Sequence, residues 1–280
     1  MARAYATLVC TDAYAIGAQV LRASLHRVGS TLPLVVLVTP NVSASVRMQL
    51  TTSLENALLY DVAPIPLRSD QATRYAFARF QHAWAKLRVF ELEMFDTIVF
   101  LDADMLCVRN MDDLFDAIAP DATTIAASRA CTCNPQRITH YPPSWTPASC
   151  AYSETTNNVR RYFNSGMLVL HPSCATLESL LAKLQGERSV ERFVFSDQCF
   201  LNEAFPDFID VPYVFNALKT LPIAHPRLWQ LEDVKAIHYI LEKPWHVEVL
   251  AGGPYDDLYA LWWEVASHVK DRLQPCFNAP

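Results

Sequence analysis

Glycine is scarce, with six in 280 residues. None of them builds a G-x-G-x-x-G turn after an apolar strand, and G-x-x-x-x-G-K-[ST] is absent. Such loops are how backbone amides cradle dinucleotides and nucleotide triphosphates. Any phosphate bound here must therefore be neutralised by metal and side chains. A basic stripe is also missing. The net charge is −6, which argues against a nucleic-acid partner. No run of about 18 apolar residues occurs, so no membrane span is expected. The opening "MARAYATLVC" has no apolar leader with a small-residue cleavage site, which leads us to expect a cytoplasmic protein. In that compartment the eight cysteines are expected to be mostly reduced. No internal repeat or low-complexity tract stands out.

What is present is an apolar α/β pattern. Hydrophobic residues make up 51% of the chain, enough for one large domain or two small ones. Short β-branched runs at 4–10, 33–39, 58–65 and 97–103 predict strands. Amphipathic segments at 14–29, 43–57 and 83–95 predict the helices between them, with Gly29 and Pro33 marking the first helix-to-strand turn. Alternation of this kind predicts a mostly parallel sheet with helices on both faces. Further strands are predicted at 123–129, 163–171 and 235–240, and helices at 175–185 and 256–273. Between 131 and 162 the pattern breaks into a proline-rich, aromatic insertion carrying Tyr141, Trp145 and Tyr152. Segments of this kind sit beside sites more often than in cores.

The chemistry concentrates at strand ends. "TIVFLDADMLCV" places Asp102 and Asp104 one residue apart after a buried run. Residues so spaced in extended chain share a face. Two carboxylates brought together repel unless a cation neutralises them, and a hard divalent ion suits them. The bland alternative is a pair of solvated loop charges. His238 lies in the apolar stretch "AIHYI", where a satisfied core histidine is the ordinary reading, and Lys243 follows in an extended turn before Pro244. Oxygen ligands joined by one imidazole favour Mn²⁺ over Mg²⁺. "FNSG" at 163–166 opens a predicted strand with Asn164 and Ser165. Asp197 and Gln198 precede an apolar helical stretch, where an N-cap is the bland reading. Cys131, Cys133 and Cys150 offer three thiols for a zinc site, with no obvious fourth ligand.

Taken together and in order, "ATLVCTDAYAIGAQVLRASL", "WAKL", "VFLDADMLCVRNMDDLF", "FNSGMLVLHPS", "SDQCFLNEAF" and "IHYILEKPW" resemble the glycogenin-like family of retaining, nucleotide-sugar-dependent glycosyltransferases. Within it the chain is most similar to cytoplasmic fungal and protist enzymes, including the protist α-galactosyltransferase acting on a ubiquitin-ligase adaptor glycan. The resemblance implies a single-domain, Rossmann-like α/β fold of the GT-A type with a mostly parallel central sheet. It implies a nucleotide-binding half at 1–104, an acceptor and sugar half at 105–250, and a C-terminal helix at 251–280. Val9, Thr11, Asp12 and Tyr14 would cradle the nucleoside, although Asp12 replaces the Asn common in glycogenin. Arg79 and Lys86 would face the donor phosphates or sugar, and Ala103 the ribose. Asp102, Asp104 and His238 would hold Mn²⁺, with Mg²⁺ as the alternative. Asn164, Ser165, Asp197 and Gln198 would hold the hexose, and Lys243 would pair with the leaving diphosphate. The donor is UDP-galactose or UDP-glucose, the acceptor a separate glycan or glycoprotein, and the assembly a homodimer.

Two departures refine this reading. Glycogenin carries a second aspartate just upstream of the Asp197 motif, where this chain has Val194. That disfavours a two-carboxylate mechanism and leaves same-face attack. Glycogenin also glucosylates one of its own tyrosines, whereas 216–233 here contains none, so self-priming of glycogen is the disfavoured alternative. A haloacid-type phosphohydrolase would carry its Asp-x-Asp on the first strand and need a more distant acidic pair. A non-catalytic sugar-nucleotide binder would keep the same residues without using them. Asp102→Asn and Asp104→Asn are expected to abolish turnover with little loss of stability, because each relieves repulsion.

Overall fold

The apolar runs pair side by side and leave their carboxyl ends along one edge. The computed structural model describes residues 1–119, 123–153, 159, 161–247 and 252–270. β1 (Arg3–Val9) leads through α1 (Ala15–Arg27) to β2 (Leu34–Val38), then through α2 (Ala44–Ser53) to β3 (Ala57–Asp61). β4 (Thr97–Leu101) is followed after a tight turn by β5 (Met105–Cys107). β6 (Ala126–Ala127), β7 (Met167–Leu170), α3 (Cys174–Gly186), α4 (Asp197–Ala204), β8 (Ile209–Asp210), β9 (Ala217–Leu218), α5 (Leu221–Ala224), β10 (Ala236–His238) and α6 (Asp256–Lys270) complete the order.

Among the described residues one sheet runs β3-β2-β1-β4-β7-β6-β8. Its β3-β2, β2-β1, β1-β4 and β6-β8 pairings are parallel, and β7 lies antiparallel to β4 and β6. The fold is a single-domain α/β unit with a mostly parallel central sheet. β2 and β4 are buried along their whole length. That is why they read as continuous apolar runs rather than alternating ones. Alternate residues still divide between two cores. Tyr5, Val36 and Val99 face Leu21 and Leu25 of α1. Ala6, Leu37 and Phe100 face Trp84, Phe90, Leu180 and Phe200.

A second sheet, β5-β10-β9, begins just after the turn that ends β4. β10 runs antiparallel to β5 and parallel to β9. α6 buries Leu258, Trp262 and Ala266 against Leu106 and Ile237 of this sheet and against Tyr239, just past β10.

Some expected elements changed form. The helix expected at 83–95 is a run of 3₁₀ turns, Ala78–Glu91. Trp84, Leu87 and Phe90 recur every third residue and are all buried, which is the 3₁₀ period. The strands expected at 123–129, 163–171 and 235–240 narrow to β6, β7 and β10. β8, β9 and α5 are too short to leave a periodic signal. The helix expected at 256–273 is α6, its last three residues lying outside the described ones, as do Cys276 and residues 154–158 and 160 of the insertion. No helix among the described residues is long and apolar enough to cross a membrane.

Candidate active site

β1 and β4 are parallel neighbours, so their carboxyl ends open on the same edge. Asp102 leaves β4 with its amide donating to the Gly166 carbonyl at 2.7 Å. A turn closed from the Met105 amide to the Asp102 carbonyl at 3.0 Å then delivers the chain to β5. Register on the second sheet places His238 opposite Met105, and the Tyr239 amide donates to the Asp104 carbonyl at 2.9 Å. Oxygens of Asp102 and Asp104 and a ring nitrogen of His238 consequently lie within 4.8 Å of one another. His238 Nε2 is 3.3 Å from Asp104 Oδ1 and 3.8 Å from Asp102 Oδ2.

Behind the ring, His238 Nδ1 meets the Asn216 amide oxygen at 2.9 Å. That oxygen can only accept, which assigns the proton to Nδ1 and leaves the Nε2 lone pair facing the aspartates. Asn216 donates on to Asn164 Oδ1, and Asn164 donates to Gln198 Oε1, both at 3.0 Å. Two carboxylates and an imidazole lone pair converge without a donor hydrogen among them, and this set fits a divalent ion of the Mn²⁺ or Mg²⁺ kind.

The cation that the aspartates were expected to need is supplied in part by the chain itself, so the expectation that their replacement costs little stability changes. Lys86 Nζ lies 3.0 Å from Asp102 Oδ1 and 3.0 Å from Asp197 Oδ2, and Lys243 pairs with Asp104. Two lysines thus offset two of the three carboxylate charges and leave one over. Burial pushes the Asp104 carboxyl up, but the charge facing it, Lys243 foremost, outweighs that and holds the group far below the usual carboxylate range. Burial also lowers Lys86, and Asp102 with Asp197 override that and raise it. Asp197 is raised, chiefly by burial, with Lys86 opposing and Asp102 adding. Deleting Asp104 would strand a buried lysine rather than relieve repulsion.

The sugar-facing residues form a connected group. Asp197 Oδ2 accepts from Ser165 Oγ at 2.8 Å, and Gln198 Oε1 accepts from the Ser165 amide at 3.3 Å. Ser196, immediately before Asp197, is fully buried with φ 49°. A non-glycine residue there is strained, and such strain gathers at functional sites. Two glycines make room for the ion-binding set. A Cβ on Gly166 would lie 2.2 Å from His238 Cε1, and one on Gly17 would lie 2.4 Å from the Ala103 carbonyl oxygen.

All of this surrounds one cavity of about 250 Å³. Thr11, Tyr14, Arg79, Lys86, Asp102, Ala103, Asp104, Asn164, Ser165, Asp197, Gln198, His238 and Lys243 line it. Val9 and Asp12 do not. Val9 is wholly buried in the core, and Asp12 accepts from the Ser43 amide at 2.8 Å. Their neighbours Leu8 and Cys10 face the cavity instead. Burial pushes the Cys10 thiol up to about 12, so it stays protonated and is no nucleophile. The insertion supplies the opposite wall. Trp145 stacks on Phe195 at 4.6 Å, and Tyr141 meets Phe195 edge-on at 5.0 Å. Tyr152, expected on the same wall, turns away and donates to the Arg129 carbonyl at 2.6 Å. Sequence reasoning missed Asn216 and Phe195. The one available signal for Asn216 was a polar residue inside the apolar stretch "YVFNAL".

Carboxylates, an imidazole and lysines gathered at the carboxyl edge of a mostly parallel sheet are the arrangement of a GT-A glycosyltransferase. The galactosyltransferase LgtC, solved with donor and acceptor sugar analogues, superposes with a TM-score of 0.65, covering 94% of this chain and 95% of its own at 20% identity. The glycosyltransferase GlyE of Streptococcus pneumoniae TIGR4 gives a TM-score of 0.60 at 19% identity, covering 96% of this chain and 63% of its own. In sequence, galactinol synthase 3 of Arabidopsis thaliana is 30% identical over 94% of this chain and 80% of its own length. Galactinol synthase 7 of the same plant is 31% identical over 87% and 74%. The profile of glycosyl transferase family 8 matches residues 6–248. The chain belongs to that family, and it is a retaining glycosyltransferase that uses a UDP-sugar.

Proposed function

We propose that this enzyme moves galactose from UDP-galactose to a hydroxyl of a separate acceptor, forming an α-linkage. The observation that carries the reading is the convergence of Asp102, Asp104 and His238 beside Lys86 and Lys243 on one cavity. Galactose is preferred because the curated relatives are named for making galactinol, a galactoside. No tyrosine occurs in 216–233 to serve as an internal acceptor. The galactinol name sets a small soluble acceptor beside the glycan or glycoprotein expected from the sequence.

The residues divide the work. Thr11 and Tyr14 line the cavity and would take the nucleoside. Asp102, Asp104 and His238 would hold Mn²⁺, or Mg²⁺ in its place. Such an ion supplies positive charge against the diphosphate that becomes UDP. Lys243 is the chain's own cation on that side, already positioned by Asp104 and by the Tyr239 carbonyl at 3.1 Å. Asn164, Ser165 and Gln198 present amide and hydroxyl groups to the hexose. Asp197 has its oxygen tied to Lys86 and Ser165, which makes it a poor nucleophile and favours attack from the face that UDP leaves. The Trp145 and Tyr141 wall offers apolar ring faces to the acceptor.

A donor screen tests this. Purified enzyme with Mn²⁺ is given UDP-galactose, UDP-glucose or UDP-N-acetylhexosamine together with polyol, sugar and glycopeptide acceptors. The expected result is fastest UDP release with UDP-galactose. Preference for another donor overturns the sugar assignment, and label entering the enzyme's own tyrosines overturns the separate acceptor.

A further inference from the structure

A second group of ligating side chains lies behind the insertion wall. Cys131 and Cys133 are one residue apart, Cys150 returns from the far side of the insertion, and His225 follows the end of α5. All four are buried, between 0 and 9% exposed, and their ligand atoms lie within 4.8 Å of one another. His225 Nε2 is 3.4 Å from Cys131 Sγ, 3.2 Å from Cys133 Sγ and 3.4 Å from Cys150 Sγ. Cys131 and Cys150 sulphurs are 3.8 Å apart.

We propose that these four side chains bind a structural zinc ion, which clips the insertion to the β9–α5 segment. The distances carry the assignment. A tetrahedral zinc with Zn–S of about 2.3 Å and Zn–N of about 2.0 Å has S···S edges of roughly 3.8 Å and S···N edges of roughly 3.5 Å. The sulphur pair is too far apart for a disulfide, whose bond is about 2.05 Å. Hydrogen bonding cannot account for the cluster either. One imidazole nitrogen holds a single proton or a single lone pair, yet three sulphurs converge on it.

The surroundings suit a closed site. Leu218, Leu221, Tyr152 and Trp229 pack around it. Four protein ligands leave no position for substrate, so the ion is structural rather than catalytic. Its place has a consequence for the active site. Ala130, Cys131 and Asn134 on one side of the cluster, and Leu218 and Thr220 on the other, line the cavity. The clip thus fixes the wall that carries Tyr141 and Trp145.

The test is metal analysis of the full-length enzyme purified without chelators. About one zinc per chain is expected, retained in Cys174→Ser and lost in Cys133→Ala, Cys150→Ala and His225→Ala. Should these variants fail to fold, a mercurial thiol reagent added to the wild type reads the same site, with release of one zinc to a chromogenic chelator as the expected result. Hydrogen exchange after zinc removal should speed up across 123–153 and 217–225 and stay unchanged in β1 and β4. A wild-type enzyme that neither carries nor takes up zinc overturns the proposal. So does iron in its place, a disulfide within the cluster, or full zinc retention in the His225 variant. Unchanged exchange across the insertion overturns the clip.

Discussion

Asp102, Asp104 and His238 face an open cavity, whereas Cys131, Cys133, Cys150 and His225 pack among Leu218, Leu221 and Tyr152, with Cys131 alone of the four reaching the cavity. β9 separates the two sets, with Leu218 beside His238 in register and packed against the cysteines. The first set is hard, has three members, and borrows Lys86 and Lys243 for charge balance. The second is soft, has four members, and uses no lysine. An incomplete set that lysines can neutralise can give up coordination positions to a substrate, whereas a complete tetrahedron gives up none. On the proposed assignments, the difference separates a site for turnover from one for shape.

The comparison breaks first at Asp104. Asp104→Asn should lower UDP-galactose turnover by about 10²–10³-fold, the cost of losing one charge-stabilising contact. It should also cost about 3–5 kcal/mol in denaturant unfolding, because Lys243 is left buried and uncompensated. Asp102→Asn should match the activity loss with far less unfolding penalty, since Asp102 keeps 29% of its side chain exposed. Equal penalties for the two would contradict the lysine account.

The cysteine set should show the reverse balance. Cys133→Ala should cost more than about 4 kcal/mol, a size reached when a structural metal is lost, as read by thermal and denaturant unfolding. UDP-galactose hydrolysis measured in the cold, below that unfolding transition, should fall much less than in Asp102→Asn, while the acceptor KM rises. A hydrolysis loss as large as that of Asp102→Asn would merge the two sites into one.

Positioning comes next. Asn216→Leu removes the acceptor that fixes the His238 ring and should cost about 10–100-fold in Mn²⁺ affinity, measured by metal titration of activity. Gly166→Ala, by pushing the same ring aside, should lower turnover by about 100-fold. The smallest expected change is at Gly186, near the end of α3, where an added Cβ meets nothing within 4 Å. Gly186→Ala should stabilise by about 0.4–1 kcal/mol and leave turnover unchanged.

The sequence disclosed these regions unequally. Asp102 and Asp104 are legible because a buried strand announces its own end, and the parallel sheet says where that end lies. His238 and Lys243 were legible through the family resemblance. The antiparallel β5-β10 register that brings them home leaves no local trace. Three cysteines of the second set were visible, but His225 sits 75 residues beyond Cys150 in a stretch without periodicity. The long 3₁₀ run escaped because Trp84, Leu87 and Phe90 satisfy a helical pattern nearly as well as a threefold one. Lysine compensation of the aspartates was not legible at all, since Lys86 arrives from an element whose burial only tertiary packing decides.

The central claim is that Asp102, Asp104 and His238 form the turnover site for a UDP-sugar. Its most direct measurement is Mn²⁺-dependent release of UDP from UDP-galactose by the wild type and by Asp102→Asn and His238→Ala, with folding of each checked by circular dichroism. We predict release that rises with Mn²⁺ in the wild type and falls by at least about 10²-fold in both folded variants. Wild-type rates in either folded variant, or release indifferent to divalent metal, would contradict it.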